Sequence, residues 1–258
     1  MNTTAQRWRN YLAAYHDDRP AITEQLLSMA TPSPYEWLGE PLRTENGPIL
    51  DLACGSAPTR PSLPDRRWIG LDSSAGELGY AAAAGRTPLI RGNATALPIA
   101  TNSVTAVCAA LSLQVLTPLD TVLNEVRRVL RPGGMLVALV PARPGLQPVG
   151  LLHWNHVLRA LSVRRLEWPN PQATNRLART LRRHGFRTHS NQRSEFTLTI
   201  NTAQDIELLI DGLYLPALPA SRLHSAKNSL RPWARSGRFL PLPLRRVIAT
   251  VDSRGRCR

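Results

Sequence analysis

Short apolar segments recur along the first half of the chain, separated by segments whose apolar residues follow a helical spacing. Each apolar run is flanked by glycine, proline or polar residues, a pattern typical of strands buried on both faces. The runs occupy residues 48–53, 68–71, 89–90, 104–109 and 135–140. Short strands that alternate with helices predict an α/β fold, with a mainly parallel sheet covered by helices on both faces.

Helical spacing predicts helices at residues 7–30, 121–130, 150–161, 172–184 and 203–215. The first of these is broken by the polar and proline residues at 17–20. Two later strands are expected at residues 196–200 and 247–251, where they close one edge of the sheet, the last running antiparallel. The segment between these strands, 203–243, is then an insertion on the ligand-binding side.

This pattern divides the chain into an N-terminal helical cap, residues 1–47, and an α/β domain, residues 48–258. Within that domain we expect a core at residues 48–140 and substrate-binding or cap elements at residues 141–258. No apolar run is long enough to span a membrane, and residues 1–10 lack the apolar region of a secretory signal.

The three cysteines, Cys54, Cys108 and Cys257, have neither metal-ligand spacing nor even pairing. We therefore expect no metal site and a location in the reducing cytoplasm.

Positive charge is concentrated in the second part of the chain. The formal net charge is +14; residues 1–140 hold 12 basic and 12 acidic side chains, whereas residues 141–258 hold 20 basic and 6 acidic. Lys227 is the only lysine. Such an excess is typical of a protein with an anionic partner such as nucleic acid, but the scarcity of lysine favours a solvated arginine-rich surface.

The end of the first strand carries the clearest candidate chemistry. Asp51 is followed by Leu-Ala-Cys-Gly-Ser-Ala over residues 52–57, and Gly55 lets the backbone approach a ligand closely. Asp72 ends the second strand, about 20 residues further on, where an acidic group accepts hydrogen bonds from ribose hydroxyls. This combination predicts a site for an adenosine-containing ligand.

Five segments, in this order, resemble the motifs of class I S-adenosylmethionine-dependent methyltransferases, most closely the small-molecule, methyltransferase type 11-like branch. Residues 49–56 resemble motif I and residues 68–74 resemble motif II. Residues 91–98 resemble the adenine-binding segment, residues 110–116 the stretch after the fourth strand, and residues 124–134 the helix and turn before the fifth. The resemblance implies a Rossmann-like, doubly wound, seven-stranded sheet with N-terminal helices and a helical insertion before the last strand.

The resemblance also implies the cofactor, S-adenosyl-L-methionine, and the residues that hold it. Asp51 orients the first turn and, directly or through water, the methionine amino group. Gly55 makes room for the methionine moiety, and Asp72 binds the ribose diol. Asn93 reaches the adenine amino group. The remaining members border the adenine, line the floor near the sulfonium or shape the first turn, and they are Ala53, Ser73, Ala94, Ala110 and Leu111.

The sequence departs from the family at three points. Ala53 and Ala57 replace the outer glycines of motif I, and Asn93 stands where aspartate is usual. Prolines at positions 58, 61 and 64 interrupt the helix that normally follows motif I. These departures keep open a degenerate, non-catalytic cofactor-binding module.

The expected reaction is methyl transfer to a small organic acceptor by direct displacement at the sulfonium methyl, with methylation of structured RNA through the basic C-terminal half as the alternative. The sequence identifies no catalytic residue with certainty. Candidates for a general base are Tyr15, His153 and His156, together with Tyr11 and His16 in the N-terminal helices that cover the cofactor in related enzymes. For each, ordinary packing or surface exposure is the competing interpretation.

Overall fold

The computed structural model describes residues 4–145 and 147–251, and the expected alternation of strands and helices is present. The strands are β1 (Ala30–Thr31), β2 (Ile49–Leu52), β3 (Trp68–Asp72), β4 (Leu89–Arg91), β5 (Val104–Ala110), β6 (Leu130–Pro141), β7 (Phe186–Ile200) and β8 (Arg238–Val251). The helices are α1 (Thr4–Asp18), α2 (Ile22–Ser28), α3 (Pro34–Gly39), α4 (Ala75–Ala83), α5 (Leu119–Val129), α6 (Pro148–Leu161), α7 (Pro171–Asn175), α8 (Leu177–Arg183), α9 (Ala203–Gly212) and α10 (Ala220–Leu230).

All the strands join one sheet in the order β1-β7-β8-β6-β5-β2-β3-β4. The five strands from β6 to β4 are parallel, while β8 runs antiparallel to both β6 and β7. The chain moves outward from β2 to β4 and returns to β5 on the other side of β2. Ligands bind at such a reversal, at the carboxyl ends of the strands, so this topology places the site above β2 and β5.

The predicted fold class is confirmed, with one correction to the number of strands. The sheet has eight strands rather than seven, because Ala30 and Thr31 pair with Leu198 and Thr197 at the edge of β7. A two-residue strand is too short to show an alternation of hydrophobic and polar residues in the sequence. The antiparallel last strand and the helical insertion before it are as predicted.

Hydrophobic side chains fill both sides of the sheet. Ile49 and Leu50 are neighbours in β2 and both are fully buried, but they belong to different clusters, since successive side chains leave opposite faces of a strand. One cluster packs the sheet against α2, α6, α9 and α10, and the other packs it against α5, α7 and α8. This two-sided burial explains why the strands appear as continuous apolar runs.

Three strands are longer than the sequence indicates, the first being β6, which begins at Leu130 rather than at residue 135. Strand β7 begins at Phe186 rather than at residue 196, because its polar first part lies at an open edge where burial imposes no alternation. Strand β8 begins at Arg238 rather than at residue 247, and Pro241 and Pro243 conceal this start. Pairing with β6 begins only at Leu244, so these prolines interrupt no ladder on that side.

One helical prediction needs correction, and one helix was not predicted. The segment 172–184 is broken at Arg176, whose φ of −139° is not helical. Ala173, Leu177 and Leu181 keep helical spacing across the break, so the sequence pattern could not reveal it. Helix α10, within the proline-rich part of the insertion, has no counterpart among the predicted helices; its buried Ala226 and Leu230 face α6 and α9.

The prolines after β2 have the predicted effect. Between β2 and β3 the chain forms only a short 3-10 turn, Arg60–Ser62, in place of a helix. Helix α3 packs beside this turn, with Gly39 against Ser62. The N-terminal segment therefore covers the part of the sheet that the missing helix leaves open.

Among the described residues, no helix is both long and apolar enough to cross a membrane. Cys54 and Cys108 are buried free thiols, and Cys257 lies outside the described residues.

Candidate cofactor and acceptor site

A cavity of about 400 Å³ opens at the carboxyl ends of the parallel strands. Its floor is formed by the turns that follow β2, β3 and β5. Its roof comes from α1 and α2 and from Tyr214, which follows α9. The cavity therefore joins the sheet core to the N-terminal helices and to the insertion before β8.

The turn after β2 has an unusual backbone. Ala53, Gly55 and Ala57 all adopt positive φ angles, 53°, 55° and 58° respectively. Glycine takes this conformation freely, whereas alanine pays about 1–2 kcal/mol for it because its Cβ crowds the carbonyl oxygen. The turn has the shape that three glycines would favour, and two alanines are held in it by the surrounding structure.

Asp72 is fixed at the end of β3 by two backbone hydrogen bonds. Its Oδ2 accepts from the Gly55 N–H at 2.8 Å, and its Oδ1 accepts from the Ser74 N–H at 2.9 Å. Burial raises the pKa of Asp72 above its ordinary value, although both hydrogen bonds oppose the shift. Each oxygen retains a lone pair, so this carboxylate on the cavity wall can also accept from the hydroxyls of a diol.

Asp51 lies behind the turn rather than on the cavity wall. It is fully buried and accepts a short hydrogen bond from the Thr59 hydroxyl. Burial raises the pKa of Asp51 to about 7, and the hydrogen bond from Thr59 opposes that rise. Asp51 therefore stabilises the turn from its buried side and would not contact a ligand in the cavity directly.

Asn93 and Ala94 line the cavity after β4, but the orientation of the Asn93 amide differs from our expectation. Its Oδ1 accepts hydrogen bonds from the Thr95 N–H and the Thr95 hydroxyl, both at 2.9 Å. The NH₂ group is thus left for a ligand. Because it can only donate, it suits an adenine ring nitrogen and not the adenine amino group.

Ala110 ends β5 and Leu111 follows it, and both form part of the cavity floor. Leu111 has a positive φ of 49°, and its N–H donates to the Leu139 carbonyl at 2.8 Å. Ser73 also lines the cavity, beside Asp72. The structure thus brings together every predicted cofactor residue except Asp51, which supports them from behind.

Of the five candidates for a general base, His16 lines the cavity, whereas Tyr11, Tyr15, His153 and His156 lie outside its wall. His153 is buried between α6 and β8, where its Nδ1 lies 2.7 Å from the Phe239 carbonyl, and His156 stacks near Trp233. Both histidines follow β6 in the chain, but α6 turns them toward β8 and away from the cavity. Tyr15 is buried, and its hydroxyl donates to the Asp211 carbonyl.

Sequence reasoning missed several residues on the cavity wall. Glu77, Tyr35 and Tyr214 are among them, and they line the same cavity as Gly55 and Leu111. Glu77 follows Asp72 closely on α4 and could have been suspected from its position. Tyr214 could not, since it comes from the insertion, far along the chain from the motifs.

The residues of the cavity fit S-adenosyl-L-methionine. Asp72 offers acceptors for the ribose diol, and Gly55 leaves the wall without a side chain; a Cβ there would lie 3.7 Å from the Glu77 carboxylate. Asp72, Glu77 and Glu24 make the walls acidic, which complements the positive sulfonium and amino groups of this cofactor.

Comparison with known proteins agrees with this geometry. A family model described as a methyltransferase domain matches residues 50–138. The demethylmenaquinone methyltransferase of Mycolicibacterium paratuberculosis is 35% identical over 137 residues, which cover 52% of this chain and 59% of that protein. The malonyl-[acyl-carrier protein] O-methyltransferase of Alcanivorax borkumensis is 40% identical over 101 residues, covering 36% of this chain and 34% of that protein.

The chain thus spans between a third and three-fifths of the length of these two relatives. Among solved structures, a putative methyltransferase from Bacillus halodurans C-125 superposes with a TM-score of 0.54 at 17% identity, covering 85% of this chain and 99% of that one. At this identity the superposition establishes the fold alone. Residues 50–138 are thus similar to a methyltransferase domain, and they contain the central parallel strands whose ends form the cavity floor.

Proposed function

We propose that this protein transfers a methyl group from S-adenosyl-L-methionine to a small organic acceptor, by direct displacement at the sulfonium methyl. The observation that carries the proposal is the cavity of about 400 Å³, which combines the cofactor residues Gly55 and Asp72 with aromatic side chains from two other parts of the chain. A volume of this size, with mixed apolar and polar walls, suits small molecules.

When bound, the cofactor supplies an electrophilic methyl group, so the protein needs chiefly to align a nucleophile and to exclude water. We assign the ribose to Asp72 and the space beside the methionine moiety to Gly55. Ala110 and Leu111 then form the floor near the reacting atoms. Helices α1 and α2, within the proposed N-terminal cap of residues 1–47, shield the cavity from solvent.

The arrangement of arginines favours a small acceptor over RNA. Several are engaged in ion pairs away from the cavity, as in Arg231–Glu207, Arg193–Glu195 and Arg246–Glu40. Arg9 does line the cavity, but its neighbours there include acidic side chains that would repel a phosphate backbone.

One observation supports the RNA alternative. Arg176, Arg179 and Arg183 line a separate groove of about 310 Å³, together with His184 and Asp120. No ion pair involves these arginines among the described residues. The groove is short and contains the carboxylate of Asp120, so we rank it below the cavity as evidence of substrate class.

The test begins with calorimetry of S-adenosylhomocysteine, for which we expect micromolar binding. Asp72→Ala should weaken it by about 1.5–3 kcal/mol, the scale of hydrogen bonds to a charged group. Asp65→Ala, an exposed aspartate before β3, is the matched control and should leave affinity unchanged. A folded wild-type protein that binds neither the cofactor nor its product would refute the proposal and support a degenerate module.

Acceptor class is then tested with methyl-labelled cofactor. Phenols, enols, carboxylic acids and amines form one set, and structured RNA at about 150 mM salt forms the other. We expect label to enter the small-molecule set. Label in RNA that is lost when Arg176, Arg179 and Arg183 are replaced by glutamine would establish the alternative.

A further inference from the structure

Three side chains from distant parts of the chain form a hydrogen-bonded row in the cavity. The Glu77 Oε1 of α4 lies 2.7 Å from His16 Nδ1 of α1, and His16 Nε2 lies 3.0 Å from the hydroxyl of Tyr214, which follows α9. All three side chains line the cavity that holds the cofactor residues. The row ends on the side of the cavity formed by the insertion, where Trp168 also packs against Tyr214.

The surroundings of His16 determine which of its nitrogens carries the proton. Glu77 is 2% exposed, and its second oxygen accepts from the Ala21 N–H at 2.9 Å, so this carboxylate is fixed in place. As a pure acceptor, the carboxylate requires a proton on Nδ1. Nε2 is then unprotonated in neutral histidine and accepts the hydrogen of Tyr214.

The other charged and titratable groups around His16 leave this arrangement intact. Asp72, on the cavity floor, interacts with His16 through its charge, and Tyr15 packs edge-on against its ring. Glu24, from α2, lines the same cavity. Asp72, Glu24 and Tyr15 are acidic or neutral, so none of the three repels positive charge on the His16 ring.

Tyr214 stays neutral in this row. Burial raises its pKa above the ordinary value, and the nearby Glu77 and Asp72 charges act in the same direction. A standing phenolate is therefore excluded, but the hydroxyl can take one proton while it gives up another. Such a hydroxyl passes protons between the cavity and His16.

We propose, on the basis of the function proposed above, that Glu77, His16 and Tyr214 form a proton relay that deprotonates the acceptor, whose reacting group is a phenolic or enolic hydroxyl. The acceptor O–H bond breaks, and its electron pair stays on the attacking oxygen. The proton goes to Tyr214, and the Tyr214 proton goes to His16 Nε2. The resulting imidazolium is balanced by the Glu77 carboxylate and later loses its proton to water.

The walls of the cavity support this acceptor class. Leu111 and Val115 supply apolar area, and Tyr35 and Tyr214 supply aromatic area, which suits a flat, neutral molecule. The carboxylates of Asp72, Glu77 and Glu24 disfavour an acceptor that enters already ionised. An acceptor of this kind keeps its proton at neutral pH and therefore needs a relay.

The variants separate the relay from a merely structural cluster. His16→Gln keeps hydrogen-bonding capacity without a titrating group, and Tyr214→Phe removes only the hydroxyl. Glu77→Gln presents an amide N–H to Nδ1, which moves the histidine proton to Nε2. Nε2 can then no longer accept the hydrogen of Tyr214. His156→Gln, on α6 outside the cavity, is the control.

With phenol and 1,3-diketone probes, we expect kcat of each relay variant to fall about 100-fold or more, the range for loss of general-base catalysis. The acidic limb of the wild-type pH profile should disappear in His16→Gln, while S-adenosylhomocysteine affinity stays within about threefold. An unchanged limb, or a tenfold loss of that affinity with kcat preserved, would overturn the relay in favour of a cofactor-binding role. A wild-type protein that does not bind S-adenosylhomocysteine would instead refute the proposed function.

A readout independent of any acceptor is ¹⁵N NMR of histidine-labelled protein with S-adenosylhomocysteine. We expect His16 protonated at Nδ1 in the wild type and at Nε2 in Glu77→Gln. A wild-type His16 that carries its proton on Nε2 would overturn the relay even if no probe is methylated.

Discussion

Glu24 and Arg86 form a bidentate ion pair, with N–O distances of 2.6 and 2.8 Å, that links helix α2 to the turn after β2, here called the cofactor turn. Arg86 also donates to the Ser56 carbonyl at 2.8 Å, and the Ser56 hydroxyl donates to Glu24 at 2.7 Å. Ser56 follows Gly55 in the turn, so the three residues close a ring between the N-terminal helices and the cofactor site. Both charged side chains are about four-fifths buried.

Arg86→Met should therefore loosen the roof of the cavity. Because Glu24 and the Ser56 carbonyl lose their donor, we expect a loss of about 1–2 kcal/mol in the free energy of unfolding and weaker S-adenosylhomocysteine binding. Urea unfolding and calorimetry measure the two effects. Arg165→Met, whose side chain is 79% exposed and 3.5 Å from Glu167, should change neither.

Ala53→Gly should stabilise the turn after β2. Relief of the positive φ gains about 1–2 kcal/mol, and the greater freedom of glycine in the unfolded chain costs about 0.5–1 kcal/mol, so a small net gain is expected. The control is Ala82→Gly in the exposed part of α4, which should destabilise. Thermal unfolding compares the two, and equal losses would show that Ala53 is not strained.

Asn93→Asp should strengthen cofactor binding. A carboxylate can keep both hydrogen bonds from Thr95 and still offer an oxygen to the adenine amino group, which the present amide does not. We expect about 3–10-fold tighter binding of S-adenosylhomocysteine, the scale of one added hydrogen bond. Asn228→Asp, on exposed helix α10, introduces the same charge outside the cavity and should have no effect.

The buried Asp51 should make stability depend on pH in an identifiable way. Because burial raises its pKa from 3.8 to about 7, the folded state holds this proton more tightly than the unfolded chain. The contribution of Asp51 to the free energy of unfolding is then fully present below about pH 4. It is lost as pH rises through about 7, by up to about 4 kcal/mol.

Asp51→Asn removes this dependence while keeping an acceptor for Thr59. Relative to the wild type, the variant should gain stability between pH 5 and pH 8, as measured by urea unfolding at each pH. Asp65→Asn, at an exposed turn, should have the same free energy of unfolding as the wild type at both pH 5 and pH 8. A constant difference between Asp51→Asn and the wild type would show that Asp51 is ionised throughout.

The parts of the site that were predictable are those encoded in one short stretch of sequence. The turn at Gly55 and the acid at Asp72 follow directly from buried strands, and strand ends meet at one edge of a parallel sheet. The row from Glu77 to Tyr214 was not predictable, because its members are 61 and 198 residues from His16. Only tertiary packing brings them together.

The same distinction explains the errors in the fold. The strands from β2 to β6 are buried on both faces, so hydrophobicity alone identifies them. The polar part of β7 lies at an edge, and the start of β8 contains Pro241 and Pro243, so neither carries a burial pattern. His153 shows the limit for function, since its position near the cofactor domain says nothing about the direction in which α6 turns it.

The proline-rich turn after β2 limits how this chain can be recombined with its relatives. Leu38 and Leu42, from the N-terminal segment, are fully buried in one hydrophobic cluster with Leu63, which follows that turn, and Gly39 lies against Ser62. The N-terminal segment and the turn therefore pack as a matched pair. We expect a chimaera that exchanges the N-terminal helices alone to lose this packing, so the exchange would have to carry the turn with it.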